Sequence, residues 1–191
     1  RPGMLYGAVL RAPRYLSELV GVDTVSAEAI EGVRVVVDGD FVGCVAPTSY
    51  AARKGIAALA ANATWTHEPH TNSADLFSHL QQTSRASDGR RPRGTSSGSV
   101  DAALAEASDV VDATYEVAYV QHVPMEPRAA VAEWADGRVT VWTGSQVPTR
   151  VHGQVAEAFD MPSEHVRVIV PDTGGGFGGK HSGEVAVEAA R

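Results

Sequence analysis

The sequence contains very little cysteine. Cys44 is the only one among 191 residues, and it lies in the apolar run Phe41–Ala46. A single thiol cannot form an internal disulfide, a cysteine-rich zinc site or an iron–sulfur cluster. Because the neighbours of Cys44 are apolar, we expect it to be a buried structural thiol.

Long apolar runs and clustered positive charge are also missing. No apolar stretch approaches the ~20 residues that a transmembrane helix requires, and no signal peptide is visible. The net charge is -7, and residues 99–191 carry six Lys or Arg against fourteen Asp or Glu. Because nucleic-acid phosphates are bound by clustered cations, this acidic half argues against a nucleic-acid partner. We expect no nucleic acid and no membrane span.

The two ends of the sequence indicate a piece of a longer polypeptide. The chain begins at Arg1 without a methionine, and it stops at Arg191 inside a helical pattern that has no C-cap signal. We therefore expect a fragment, and the lack of a catalytic group within it carries no weight.

The first half of the sequence has the apolar patterns of a small α/β unit. Strands are predicted at Met4–Leu10, Leu19–Val22, Val33–Val37 and Phe41–Ala46, and a short one is predicted around Trp65. Thr48 can cap a helix that carries Ala52 and Leu59 on its apolar face. A short helix over Ala74–Gln82 and a polar, Gly/Ser-rich loop at about 84–98 follow.

The second half alternates helices with strands. Patterns predict a helix at Val100–Ala107, a long strand at Val110–Val120, and a type I′ hairpin of Ala129–Trp134 and Val139–Thr143 around Asp136-Gly137. A helix opened by Pro148 follows, with Val151, Val155 and Phe159 on its inner face. A buried strand at Val166–Val170 then leads to a final helix that begins near Gly183 and is capped by Ser182. Glu126 and Arg128 lie two apart on an extended segment and are expected to form an internal acid–base pair.

A run of glycines after the last predicted strand is the strongest functional signal. Five of the six positions in Gly174–Gly179 are glycine, and fixing each costs roughly 0.5–1 kcal/mol relative to alanine. A chain keeps such a run where the backbone adopts positive φ or where a ligand contacts the N–H groups. Successive N–H groups can form an anion-binding nest, and the next helix N-terminus adds positive potential.

Two phosphate-binding motifs fit this run only approximately. The spacing G-x-G-x-x-G from Gly174 matches the dinucleotide fingerprint, but it follows a hairpin and two helices instead of the first strand of a βαβ unit. The spacing G-x-x-x-x-G-K nearly fits a P-loop, but His181 stands where Ser or Thr would hold magnesium. A nucleotide- or phosphate-binding module using the Gly174–Lys180 loop is therefore the alternative function.

Three segments occur in a diagnostic order, namely His122–Arg128 (HVPMEPR), Trp142–Gln146 (WTGSQ) and Gly174–Lys180 (GGGFGGK). Together they resemble the molybdenum-cofactor-binding large subunit of the xanthine dehydrogenase / aldehyde oxidoreductase family. From Val100 onward the chain looks closest to the isoquinoline 1-oxidoreductase β-subunit branch.

The opening Pro2–Arg11, followed by Val22–Thr24, is similar to the α/β-hammerhead domain of that family. The resemblance implies an α+β chain in which a hammerhead domain precedes the first part of a molybdenum-cofactor-binding domain. We expect a hammerhead-like domain at 1–98, including a flexible polar loop at about 84–98, and a truncated molybdopterin-binding domain at 99–191.

The resemblance also implies a reaction, a cofactor and partners. Such enzymes are molybdenum hydroxylases, which oxidise a C–H group of an N-heterocycle or aldehyde with water as the oxygen source. The implied cofactor is molybdenum–molybdopterin in the cytosine dinucleotide form. The implied partners are the remainder of the large subunit, a two-iron, two-sulfur small subunit that holds the iron–sulfur clusters, and the substrate. The compartment stays open between bacterial cytoplasm and periplasm.

The same resemblance gives roles to individual residues. Gln146 matches a glutamine whose amide donates towards a molybdenum-bound oxygen, and a neutral amide can do so without adding charge. Phe177 and Gly178 match residues whose backbone amides approach the metal oxygens. The expected cofactor-binding residues are Gln146, Gly175, Gly176, Phe177, Gly178 and Gly179, with no protein group directly ligating the metal.

Phe177 and His181 are expected beside the substrate pocket. Purine-oxidising members have a glutamate where this chain has His181, so the histidine disfavours purines and suits a different heterocycle or carbonyl. The catalytic base of the family is a glutamate that nothing here matches. We expect that base beyond residue 191 and expect the fragment alone to be inactive.

Overall fold

The structure is a computed structural model that describes residues 2–84 and 97–191. Its strands are β1 (Tyr6–Val9), β2 (Ser17–Val22), β3 (Arg34–Asp38), β4 (Phe41–Ala46), β5 (Ala63–His67), β6 (Ala130–Ala135), β7 (Arg138–Thr143) and β8 (Val166–Ile169). Its helices are α1 (Val25–Glu28), α2 (Ser49–Ala61), α3 (Leu76–Thr83), α4 (Val100–Glu106), α5 (Pro148–Ala158) and α6 (Glu184–Ala190), with a 3-10 turn at Ser163–His165. The predicted mixture of helices and strands is confirmed, whereas the hammerhead assignment stays a prediction.

The chain divides into two compact units, residues 1–68 with 120–191 and residues 69–119. The first unit contains two antiparallel sheets, β1-β4-β3 and β2-β5, and a third sheet, β6-β7-β8. In the third sheet β7 pairs antiparallel with β6 and parallel with β8. The second unit contains α3 and α4. None of the helices in the described part of the chain is long and apolar enough to cross a bilayer.

The domain division predicted at 1–98 and 99–191 stays a prediction. The flexible polar loop predicted at about 84–98 falls largely on residues 85–96, which lie outside the described residues.

The N-terminal core forms between β4 and α2. Thr48 Oγ1 accepts a hydrogen bond from Ala51 N at 3.2 Å, so Thr48 caps α2 as predicted. From that start α2 places Ala52 and Leu59 in the same buried cluster as Cys44 of β4. Burial raises the pKa of the Cys44 thiol. These observations confirm the predicted buried, structural thiol.

Gly55 lies where α2 approaches β4 most closely. A Cβ atom on Gly55 would lie 2.9 Å from both Cys44 Sγ and Val33 Cγ1. Overpacking costs about 1–3 kcal/mol, and the better helix propensity of alanine returns at most ~1 kcal/mol. Gly55→Ala should therefore lower the free energy of unfolding by up to about 2 kcal/mol, as measured by urea denaturation.

Gly153 in α5 is the matched control, since nothing lies within 4 Å of its Cβ position. Gly153→Ala should raise the free energy of unfolding by about 0.5–1 kcal/mol because only helix propensity changes. Stabilisation by both substitutions would contradict the close packing of α2 on β4.

The C-terminal layer packs α5 and α6 on the sheet β6-β7-β8. The hairpin turns at Asp136-Gly137, whose φ angles of 51° and 70° are those of the predicted type I′ turn. Val139 and Val141 of β7 are fully buried with Val151 and Val155 of α5, as the predicted inner face requires. Because β7 and β8 are parallel, their carboxyl ends lie at one edge, and the segments that follow them meet there.

Two predictions from local patterns are wrong. Val110–Val120 forms no strand, because residues 107–129 have no helix or strand and no described strand pairs with them. A strand needs a hydrogen-bonding neighbour, which an alternating pattern alone does not supply. Ser182 does not cap α6, because the N-cap is Gly183, whose N–H donates to Gln154 Oε1 at 2.7 Å.

Candidate functional site

The glycine run starts at the edge where β7 and β8 end and leads into α6. Gly175 and Gly178 have φ angles of +90° and +102°, a region that glycine adopts without strain. The N–H of Gly179 donates to the carbonyl of Gly176 at 2.7 Å, which closes a tight turn. Backbone conformation therefore requires glycine at two positions of the run.

Side chains of the protein itself explain other glycines. A Cβ atom on Gly174 would lie 2.8 Å from Glu126 Oε2, and one on Gly176 would overlap Gln146 Oε1. Both are closer than real Cβ atoms approach such groups. Close packing by the protein is thus a further reason for glycine, besides backbone conformation and ligand contact.

His122 covers the end of the run. A Cβ atom on Gly178 would lie 2.9 Å from His122 Nε2, and one on Gly179 would lie 3.1 Å from His122 Cβ. The sequence pattern gave His122 no such role, because the glycines that it contacts lie far along the chain. One face of the loop is therefore filled by three protein side chains, those of His122, Glu126 and Gln146.

Gln146 follows β7 and reaches the loop through both its backbone and its side chain. Its N–H donates to the Lys180 carbonyl at 3.0 Å. Its Oε1 accepts from Gly178 N at 2.9 Å and from Lys180 N at 3.4 Å. These two donors set which way the amide points. Its Nε2 has no acceptor within residues 2–84 and 97–191, so an oriented donor is available.

An ion pair closes the loop. The Lys180 side chain is 1% exposed, and its Nζ donates to Glu126 Oε1 at 2.8 Å. The second carboxylate oxygen of Glu126 accepts from Gly174 N at 2.5 Å. The hydrogen bond from Lys180 and then that from Gly174 hold the pKa of Glu126 below its ordinary value. One carboxylate therefore ties both ends of the glycine run.

The predicted pairing of Glu126 with Arg128 is wrong. Arg128 Nη1 donates to Glu184 Oε2 at 2.9 Å and lies 3.4 Å from Ser182 Oγ, while Glu126 binds Lys180. The end of the loop brings Lys180 to Glu126, and the start of α6 brings Glu184 to Arg128. The sequence contained one usable signal, a lysine that directly follows a run of glycines and has no nearby acid before it.

Several backbone donors of the loop remain unpaired. The N–H groups of Gly175, Gly176 and Phe177 have no acceptor in the part of the chain that the structure describes. Gln146 Nε2, whose amide is bound to the same loop, adds a fourth neutral donor. Such a set can bind a group rich in oxygen acceptors, as anion-binding nests do.

Phe177 and His181 are exposed. Phe177 is 73% exposed with φ of 52°, and its ring lies 3.1 Å from the Cβ position of Gly175. No described residue forms a hydrogen bond with the His181 ring. Their placement beside a substrate stays a prediction.

A cavity of about 700 Å³ lies away from the loop, between β1 and β4 on one side and β6 and α6 on the other. Beside it Arg11 binds both carboxylate oxygens of Glu188, at 2.5 and 2.7 Å, and this raises the pKa of Arg11. No residue of Gly174–Lys180 lines the cavity. The candidate site therefore rests on the donors of the loop and not on this cavity.

The fold is similar to part of two solved structures. The chain superposes on quinoline 2-oxidoreductase from Pseudomonas putida 86 with a TM-score of 0.72 and 24% identity, over 97% of this chain and 29% of that one. It superposes on aldehyde oxidoreductase from Desulfovibrio gigas with a TM-score of 0.76 and 19% identity, over 98% and 26%. At these identities the likeness shows a shared fold.

The molybdopterin cofactor-binding domain family matches residues 83–191. The chain belongs to this family, among the molybdopterin-binding large subunits of the xanthine dehydrogenase / aldehyde oxidoreductase type. The resemblance drawn from the three motifs is confirmed at this level. The isoquinoline 1-oxidoreductase-like branch stays a prediction.

Curated relatives are much longer than this chain. The aldehyde oxidoreductase molybdenum-binding subunit PaoC of Escherichia coli (strain K12) is 40% identical over 83 residues, which are 44% of this chain and 11% of PaoC. A probable xanthine dehydrogenase subunit of Bacillus subtilis (strain 168) is 31% identical over 209 residues, or 94% of this chain and 28% of that protein. The chain spans less than a third of either relative.

Glu126→Gln removes the carboxylate that neutralises buried Lys180, so the variant should have a lower Tm at neutral pH. Because the pKa of Glu126 is lowered in the folded state, its contribution is present above the ordinary value of 4.5 and is lost as pH falls through the folded value. The difference in Tm between wild type and variant should be steady near neutrality and shrink below about pH 4.5, as measured by circular dichroism.

Glu184→Gln is the matched control, since it breaks the nearby ion pair between Glu184 and Arg128. The side chain of Glu184 is 62% exposed and that of Arg128 is 44% exposed. Exposed pairs contribute about 0–1 kcal/mol, so the Tm should change little. An equal loss of Tm in both variants would show that the pair at the loop has no special weight.

Proposed function

We propose that this chain forms the cofactor-binding face of a molybdenum hydroxylase subunit that oxidises a C–H group of an N-heterocycle or aldehyde. In that reaction C–H becomes C–OH with oxygen from water, and two electrons and two protons leave. The observation that carries the proposal is the oriented amide of Gln146 on a loop whose N–H groups at Gly175, Gly176 and Phe177 are unpaired.

The donor set fits the cofactor of the family. Molybdenum–molybdopterin would be held by Gln146 and by the loop residues from Gly175 to Gly179, and when bound it supplies the redox centre. Neutral N–H donors can steady oxygen acceptors without adding charge, and a glycine backbone lets a bulky group come close. Phe177 N is free to donate, whereas Gly178 N holds Gln146 Oε1 and so orients its Nε2.

The ammonium of Lys180 weighs against the alternative, a nucleotide- or phosphate-binding module. A P-loop lysine has to reach phosphate oxygens. Here Nζ of Lys180 is buried and paired with Glu126 at 2.8 Å. The loop thus offers neutral donors in place of a free cation, which favours an oxygen-bearing metal cofactor over a polyphosphate.

We place the substrate beside Phe177 and His181, because both side chains are exposed next to the loop. An aromatic face suits a planar heterocycle or aldehyde, and an imidazole can exchange hydrogen bonds with a ring nitrogen or carbonyl. The catalytic base is proposed to lie beyond residue 191.

The electrons require a path out of the site. One cysteine cannot hold an iron–sulfur cluster, so we propose that a two-iron, two-sulfur partner subunit receives them. We propose the cytosine dinucleotide form of the pterin, and the remainder of the large subunit as the part that completes the pocket.

Gln146→Ala in the complete enzyme removes the Nε2 donor, and turnover should fall by about 10- to 100-fold while the enzyme stays folded. Gln154→Ala is the matched control. Gln154 Oε1 also accepts from a glycine N–H, that of Gly183 at 2.7 Å, but it does so away from the loop. Steady-state kinetics and molybdenum content by mass spectrometry are the measurements.

Full activity of Gln146→Ala would remove Gln146 from the cofactor site. A complete protein that binds nicotinamide or adenine nucleotides tightly and contains no molybdenum would replace the hydroxylase proposal with the alternative.

His181→Glu should change substrate choice more than stability. A carboxylate in place of the imidazole adds a negative charge and leaves only hydrogen-bond acceptors at that position, so the ratio of kcat/KM for two heterocycles should shift by roughly tenfold or more. His181→Asn, which is neutral, is the control for simple loss of the ring. An unchanged substrate profile in both variants would place His181 outside the pocket.

A further inference from the structure

The side chain of His122 lies along two consecutive glycines of the loop. A Cβ atom on Gly178 would lie 2.9 Å from Nε2 of His122 and 3.2 Å from its Cδ2. A Cβ atom on Gly179 would lie 3.1 Å from Cβ of His122 and 3.3 Å from its Cγ. The contact therefore extends from the Cβ atom of His122 to the far edge of its ring, and a side chain on either glycine would force His122 to move.

Gly178 is also a residue that orients Gln146. Its N–H donates to Gln146 Oε1 at 2.9 Å, and its φ angle is +102°. Glycine has a broad range of allowed φ and ψ angles, so its own backbone does little to hold that N–H in one direction. The ring of His122 supplies the missing restriction, because it occupies the space beside Gly178 and Gly179.

The backbone directly after His122 is strained. Val123 has a φ angle of +38°, and a β-branched residue rarely adopts this left-handed region. Such a conformation persists where the surrounding structure fixes the backbone. One side of this turn contacts the loop through His122, and the other contacts it through Glu126. The strained turn thus joins two points at which the segment is held on the loop.

The contact between His122 and the loop is one of packing. No hydrogen bond joins either ring nitrogen of His122 to another residue in the described ranges 2–84 and 97–191. The shape of the ring, and not its polarity, is therefore what acts on Gly178.

We propose that His122 is a positioning residue for Gln146. Its ring restricts the backbone of Gly178, and through the N–H of Gly178 it keeps the amide of Gln146 in the orientation that leaves Nε2 as a donor. The inference rests on the proposed function in taking this Nε2 to serve the reaction.

Removal of the ring should loosen the loop. The amides of residues 178–180 are all hydrogen-bonded within the protein. In the complete large subunit before molybdenum is loaded, His122→Ala should speed their hydrogen exchange at least about tenfold, as measured by mass spectrometry on peptides that cover the loop. His122→Phe keeps a planar ring without nitrogens and should preserve slow exchange.

His165→Ala is the matched control for the loss of a histidine. His165 lies in the 3-10 turn at the start of β8, whereas the loop follows the other end of that strand. The exchange of residues 178–180 should therefore be unchanged in this variant.

Steady-state kinetics of the loaded enzyme separate positioning from a general structural role. His122→Ala should lower kcat about tenfold and leave KM within about twofold. Because the effect passes through Gln146, adding His122→Ala to Gln146→Ala should lower kcat by no more than about twofold further. His122→Phe should keep most of the wild-type kcat.

Unchanged exchange of residues 178–180 in His122→Ala would overturn the proposal, as would a further tenfold loss of kcat in the double variant. Equal defects in His122→Phe and His122→Ala would also overturn it. Faster exchange in His122→Ala of a subunit that never takes up molybdenum would preserve the positioning role and sink the hydroxylase proposal. An active, molybdenum-loaded enzyme whose loop exchanges equally with and without the His122 ring would do the reverse.

Discussion

The buried ammonium of Lys180 is the constraint on which the candidate site depends. A lysine that is 1% exposed keeps its charge at tolerable cost only with a partner, and Glu126 is that partner. The other oxygen of Glu126 binds Gly174 N, so the group that neutralises the lysine also fixes the entry to the loop. Lys180 directly follows the glycine run, so the same carboxylate also fixes the exit from the loop.

The loop, with both of its ends held by Glu126, is also hydrogen-bonded to the segment that follows β7. The Lys180 carbonyl accepts from Gln146 N at 3.0 Å and from Ser145 Oγ at 3.3 Å, while Gln146 Oε1 accepts from Gly178 N. These bonds are possible because parallel β7 and β8 finish at one edge of their sheet. The ion pair, the loop and the Gln146 amide thus form one unit, in which a shift of any member moves the others.

Sequence patterns predicted what depends on neighbours in the chain. The cap at Thr48, the turn at Asp136-Gly137 and the helix opened by Pro148 each follow from a few adjacent residues. Motif order singled out Gln146 and the glycine run, which the structure brings into contact. The partner of Glu126, and the lack of a strand partner for residues 110–120 within residues 2–84 and 97–191, depend on groups far along the chain, and no local pattern contains that information.

Glycine content alone does not distinguish a binding loop from a tight turn. Gly174 and Gly176 make room for Glu126 and Gln146, so these glycines are needed whether or not a ligand is present. The distinguishing feature is the set of hydrogen-bond donors that this packing leaves without an acceptor among the described residues. Gln146 Oε1 accepts from two backbone N–H groups, which orients the amide and leaves its Nε2 as a fixed donor beside the loop. Ordering that side chain costs rotamer entropy, and in the proposed cofactor site the oriented Nε2 would donate to an oxygen of the cofactor.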